Sequence, residues 1–147
     1  MFSKATEYAL RATLFLAQKS SEENKMGIEE IARAIDSPRS FTAKILQQLT
    51  RGNKVVSSAR GPQGGFFIPE KAKQLPVRVV LEAMGEEEIL EKCVMGLKLC
   101  SETRPCPMHA QYKVIKTQLI NLFTAKTIQQ LADEIQDGVI FIRNKKS

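Results

Sequence analysis

Apolar and polar positions alternate at helical spacing from residue 4 to residue 19, where Tyr8, Leu10, Leu14 and Ala17 supply a broad apolar face. After the polar stretch 20–25, Ile28, Ile31, Ala32 and Ile35 mark one face of a short second helix. Asp36-Ser37-Pro38 breaks it, and Ser37 is placed to cap a third helix with Pro38 in its first turn. That helix turns Phe41, Ile45, Leu46 and Leu49 inward and Arg39, Ser40, Lys44 and a glutamine outward, and Gly52 closes it. The periodicity then changes. Residues 55–59 read as a strand, 60–65 as a turn and 66–68 as a returning strand. Residues 76–84, through Val77, Val80, Leu81 and Met84, predict a further helix ended by Gly85.

Toward the C-terminus, Met108, Tyr112, Ile115, Leu119 and Leu122 follow one another at steps of 4, 3, 4 and 3, the seam of a helix that pairs with another. Thr127 and Gln130 have the spacing of a capping box and predict a last short helix. The expected fold is mainly α with a small β-hairpin: a winged helix-turn-helix domain over residues 1–84, a cysteine-containing loop over 85–109, and a dimerisation helix with a short C-terminal helix over 110–147.

At 147 residues and 43% hydrophobic, the chain has room for one domain with a core and a pairing arm. Its best apolar run, around Leu14 and Ala17, is far short of the roughly 20 residues a membrane span needs. Residues 1–4 lead into a helical pattern carrying Glu7 and Arg11, unlike a signal peptide, so a cytoplasmic protein without membrane contact is expected.

The net charge of +6 is unevenly placed. From residue 33 to residue 78 nine Lys and Arg face only Asp36 and Glu70, and from 79 to 93 five glutamates face Lys92 alone. A basic first half fits a polyanion. Two short helices joined by a tight turn, the second with a basic face, are the sequence form of a DNA-reading helix-turn-helix, whose second helix reads base edges near its N-terminus. The hairpin behind it is a wing. The candidate DNA contacts are Arg39, Ser40 and Lys44 on the helix and Arg60, Gln63 and Gly64 on the hairpin, with Arg60 suited to a narrow minor groove. Glycine there lets the backbone approach a phosphate, or simply completes the turn.

All three cysteines, Cys93, Cys100 and Cys106, and the single histidine, His109, fall in one stretch. Its Gly, Lys, Ser, Thr and Pro content argues against buried packing thiols, and an odd count without a secretory signal argues against a disulfide framework. Thiolates with an imidazole suit a structural zinc or an iron–sulfur cluster. Zinc sites favour pairs separated by two to four residues, whereas here six and then five intervene. The wider spacing favours the cluster. Pro107 suits a helix start, which would lower the pKa of the Cys106 thiol, and His109, three residues on, is the local candidate for a fourth ligand. Read as an enzyme, Cys106 and His109 lack a third orienting residue, and no Gly-rich cofactor loop follows a strand.

These marks together resemble the iron–sulfur cluster regulator (IscR) and nitric-oxide-sensitive repressor (NsrR) family of bacterial transcription factors. They are Thr6-Glu7-Tyr8-Ala9-Leu10-Arg11, the helix with Ser37, Phe41, Ile45, Leu46 and Leu49, the wing Arg60-Gly61-x-x-Gly64-Gly65-Phe66, and the three cysteines behind it. The resemblance implies a homodimer on palindromic double-stranded DNA, with affinity set by a 2Fe-2S or 4Fe-4S cluster that senses redox, nitric oxide or iron–sulfur status. It also implies that Glu7 can reach a cluster, replacing His109 if four irons are present. Six residues between Cys93 and Cys100, where five are expected, leave the cluster type open. The alternative is a zinc-stabilised winged-helix regulator without sensing chemistry.

Overall fold

The computed structural model describes residues 1–135 and 140–143, so the end of the expected 110–147 segment lies partly outside the described residues. Helix α1 (Lys4–Lys19) is the centre of the packing, with α2, α3, α5 and α7 against it. Ser3 starts it by accepting the Thr6 amide at 3.2 Å. Its buried stripe is Thr6, Ala9, Ala12, Thr13, Leu16 and Ala17, so Leu10 and Leu14 flank the core rather than fill it. The small residues of that stripe let several helices come close around one axis.

Helix α2 (Ile28–Ile35) ends as Asp36 turns left-handed at φ 55°, a conformation an aspartate tolerates, and Ser37 N donates to Ala32 O at 2.9 Å. Helix α3 (Arg39–Leu49) starts one residue later than the expected cap implies. Pro38, extended at ψ 143°, takes the cap position, and the Ser37 hydroxyl accepts from Thr42 at 3.0 Å instead of from a first-turn amide. Ile45, Leu46 and Leu49 are buried, as is Thr42, while Phe41 is half-buried edge-on against Tyr8.

The hairpin pairs β1 (Ser57–Ala59) with β2 (Gly65–Phe67), antiparallel, Ser58 opposite Phe66. The strands are shorter than expected because Val55 and Val56 turn into the core. On its other edge Phe66 exchanges two 2.8 Å backbone hydrogen bonds with Met26, which fastens the wing to the segment before α2. A Cβ on Gly64 would sit 2.4 Å from Ala59 O, so the turn itself requires glycine there. Gly65, at φ 141°, also lies against Met26 O.

A one-turn helix α4 (Glu70–Lys73), which the apolar pattern does not announce, buries Lys73, whose Nζ donates to Ser20 O at 3.1 Å. Helix α5 (Arg78–Ala83) is shorter than 76–84 because Pro76 and Val77 pair with the chain near Thr127. Val77 N donates to Lys126 O at 3.2 Å and Ile128 N to Leu75 O at 2.9 Å. A short 3-10 turn (Glu87–Leu90) then anchors Leu90 in the core. Helix α6 (His109–Thr124) and helix α7 (Ile128–Asp133) are the last of the described helices, α7 carrying the expected capping box, with Gln130 N on Thr127 Oγ1 at 3.0 Å.

Candidate DNA-reading surface and cysteine site

Arg39, Ser40 and Lys44 lie exposed along the first two turns of α3, and Arg60 and Gln63 lie exposed at the tip of the hairpin. Their exposure follows from the fold, since the opposite face of α3 holds Ile45, Leu46 and Leu49 against α1. Lys44 and Arg60 have no protein partner among the described residues, which leaves both cations available to a polyanion. Arg39 differs. Its Nε donates to Glu29 Oε1 at 2.6 Å. Gly64 is half-buried within the turn. Not all of the basic stretch faces outward: Lys73 is buried, and Arg78 is held by Glu91 at 3.3 Å and Glu82 at 3.6 Å. Lys25, outside that stretch, lies 5.3 Å from the centre of the Phe67 ring and adds a cation beside the wing.

The cysteine segment begins where Leu90 leaves the core. Cys93 is buried, and Met95 N donates to its sulfur at 3.4 Å. Amide donors from Met95 and Leu97, aided by the Cys106 thiol and Gly96, hold the Cys93 thiol below its ordinary range against the opposing effect of burial. The amides of residues 95–97 turn back on Cys93, and this favours its thiolate form. Cys100 Sγ lies 3.4 Å from His109 Nδ1. Pro107 precedes α6 rather than opening it, and His109 is its first residue.

His109 is buried. Its Nε2 approaches Glu102 Oε1 at 3.4 Å without hydrogen-bond geometry and is left as an unpartnered buried nitrogen among the described residues. Glu102 is held mainly by Lys113 at 2.5 Å, whose hydrogen bond keeps the carboxyl below its usual range. The four donors thus stand as two pairs, Cys93 with Cys106 and Cys100 with His109, joined by His109 N on Cys106 O at 3.0 Å. No three of them converge as a metal-holding group among the described residues. In kind the set fits a thiolate-bound metal group, since soft sulfur and imidazole donors share one short loop and one buried ring nitrogen lacks a partner. Glu7 is exposed on α1 and is not gathered with the cysteines.

Residues 2–134 match the Rrf2 family, described as an iron-dependent transcriptional regulator. The chain belongs to the Rrf2 family. It is 32% identical over 133 residues to a candidate HTH-type transcriptional regulator of Aquifex aeolicus (strain VF5), covering 89% of this chain and 90% of that one. It is 25% identical to the HTH-type transcriptional regulator IscR of Pectobacterium atrosepticum, covering 86% of this chain and 75% of the relative. With NsrR of Oceanobacillus iheyensis the identity is 27%, over 91% of this chain and 88% of the other. The fold is shared with CymR, the global cysteine regulator of B. subtilis, at a TM-score of 0.74 and 18% identity, over 92% and 98% of the two chains. It is shared also with T. potens IscR at 0.65 and 17%, over 94% and 93%. The protein is an Rrf2 transcriptional regulator with a winged-helix fold.

In this Rrf2 chain α6 has two faces. Phe123 is buried, with its ring 5.4 Å from that of Phe2, and Leu119 and Ile120 pack on the core. Met108, Val114, Ile115 and Leu122 are exposed, at 50%, 60%, 57% and 61%. Of the expected seam, Leu119 therefore serves its own domain while Met108, Ile115 and Leu122 do not. No described helix is long and apolar enough to cross a membrane.

One link was hidden in the sequence. Glu86, the first residue of an acidic run whose charge suits the helix beginning right after it, instead holds the start of α1. Ser3 N donates to its carboxylate at 3.0 Å and Ser3 Oγ at 2.6 Å, and Thr6 Oγ1 donates as well. These hydroxyls keep the Glu86 carboxyl below its ordinary range. A contact between residues 80 or more positions apart leaves no local signal.

Proposed function

We propose that this Rrf2 regulator is a cytoplasmic homodimer that binds a palindromic operator with an affinity set by an iron–sulfur cluster. The observation that carries this reading is the position of the donors: Cys93, Cys100, Cys106 and His109 lie between Glu86, bound to the start of α1, and α6, whose apolar outer face lacks a cover. Cys93, Cys100 and Cys106 would hold the cluster, with His109 as fourth ligand to a 2Fe-2S centre and Glu7 replacing it if the centre is 4Fe-4S. A bound cluster supplies a redox- and nitric-oxide-reactive centre. The chain's own part is mechanical. Glu86 ties the cysteine segment to the end of α1 that carries Glu7, and α1 packs on α3, so ordering of the loop biases the spacing of the two readers between DNA-competent and incompetent states.

On DNA, Lys44 and Arg60 neutralise phosphates or enter a groove, Arg39 reads base edges, and Ser40, Gln63 and Gly64 lie alongside. Three thiols and one imidazole are also the donor set of a structural zinc ion, the competing reading. Anaerobic purification separates the two: visible absorption with iron and acid-labile sulfide supports the cluster, and a colourless protein with stoichiometric zinc overturns it. For DNA, Lys44→Ala should weaken all sequences alike and flatten the log–log salt slope by roughly 1. Unchanged affinity in Lys44→Ala, Arg39→Ala and Arg60→Ala would remove the DNA surface.

A further inference from the structure

Among the cations proposed to meet DNA, Arg39 differs in having a protein partner among the described residues. Arg39 is the first residue of α3 and Glu29 lies in the first turn of α2, so the bond links the N-terminal ends of the two helices of the reader. The 2.6 Å contact uses Nε and one carboxylate oxygen, and both side chains stay about two-thirds exposed, at 62% and 66%. The pair is therefore formed in water, where an exposed ion pair adds little to stability. Its consequence is geometric. A guanidinium bound through Nε keeps both terminal nitrogens free along one edge, the edge that meets guanine O6 and N7 in a bidentate contact. Lys44 and Arg60, without partners among the described residues, can follow phosphates over a wide range of positions.

We propose that Glu29 is a specificity-determining residue of this regulator: by binding Arg39 Nε it holds the guanidinium toward a base edge, and its negative charge weakens attachment to DNA of unrelated sequence. Bound to Glu29, Arg39 brings almost no net charge to the backbone, so the pair contributes to base readout and little to the non-specific, salt-sensitive component. Arg39's hydrogen bond keeps the Glu29 carboxyl below its ordinary range, so the pair stays ionised at neutral pH. The inference rests on the reading of α3 as the base-reading helix.

The test uses the full-length dimer as purified, a duplex selected by that protein from a random-sequence pool, and a scrambled duplex of the same composition. Glu29→Gln should bind the scrambled duplex more tightly, with a salt slope steeper by about 0.9. At one base pair of each half-site it should also lose roughly tenfold of the preference for guanine. Arg39→Ala should relax the same base pair. In the Arg39→Ala background, Glu29→Gln should still raise overall affinity through its charge but leave that preference unchanged. A mere surface ion pair would not move one base preference while leaving the others alone. If Arg39→Ala relaxes a base pair and Glu29→Gln leaves that preference intact, the inference fails while the reading of α3 stands. If Arg39→Ala relaxes no base pair, the reading of Arg39 fails and the inference with it.

Discussion

The reader domain and the cysteine segment are built on opposite physical terms. In the reader, Leu16, Ile31, Ile35, Ile45, Leu46, Leu49 and Leu81 are fully buried around α1, and apolar contact dominates the packing of the helices. Between Cys93 and His109 the large apolar side chains Val94, Met95, Leu97, Leu99 and Met108 are all exposed, Leu99 at 76%. That loop is held at its ends, by buried Leu90 and buried His109, and inside by a few hydrogen bonds to sulfur. A segment of this kind takes its order from what binds its donors or covers its side chains. On the proposed function, this contrast would place the response of the protein in the loop and its specificity in the reader.

The largest test of that contrast is in the cores. Leu46→Ala should cost about 2–5 kcal/mol by thermal or denaturant unfolding, because it opens a cavity between α3 and α1. Leu99→Ser should stay within about 0.5 kcal/mol. Equal losses would mean that the loop is packed as the reader is. Next comes the outer face of α6. Ile115→Lys with Leu122→Lys replaces exposed apolar residues, so each chain should keep its fold while sedimentation shows monomers, and operator affinity should fall on the order of a hundredfold as the linked second half-site is lost. An intact dimer would place the pairing surface elsewhere.

Cys100→Ala should sharpen the difference by removing the cluster spectrum and changing operator affinity by roughly tenfold, a typical coupling energy, with the reader's thermal midpoint little altered. Proteolysis within residues 93–108 should increase in the same variant, whereas a collapse of the reader's midpoint would show that the two regions are not separable. The smallest effect concerns the tie between them. Glu86→Gln should cost about 1 kcal/mol at neutral pH. The Glu86 carboxyl titrates below its ordinary value of 4.5 in the folded state, so its contribution is present above that value and is lost as pH falls through the lower folded one. Stability curves of the wild type and Glu86→Gln should converge in that acid range; curves that stay parallel would exclude the contact as the source of the difference.

The amino-acid sequence by itself determined the main helices, the hairpin and the chemistry of the donors, though not the one-turn helix α4. The spacing of Ile28, Ile31 and Ile35, of Ile45, Leu46 and Leu49, and the capping pair Thr127 and Gln130 all specify local structure through contacts within a few residues, and local contacts are written in order along the chain. Clustering of the cysteines with His109 is likewise a matter of order alone. Tertiary structure decided which charges are free and which faces are covered. Lys73 and Arg78 were indistinguishable from Lys44 in the sequence, yet Lys73 is buried with its Nζ on the distant Ser20 O, and Arg78 is ion-paired to Glu82 and Glu91. Glu86 reaches Ser3, Glu29 reaches Arg39, and Leu119 leaves the seam for its own core only once the helices have packed. The pairing of Cys93 with Cys106 and of Cys100 with His109 belongs to the same class, since a loop without a periodic pattern acquires its geometry from the elements at its two ends.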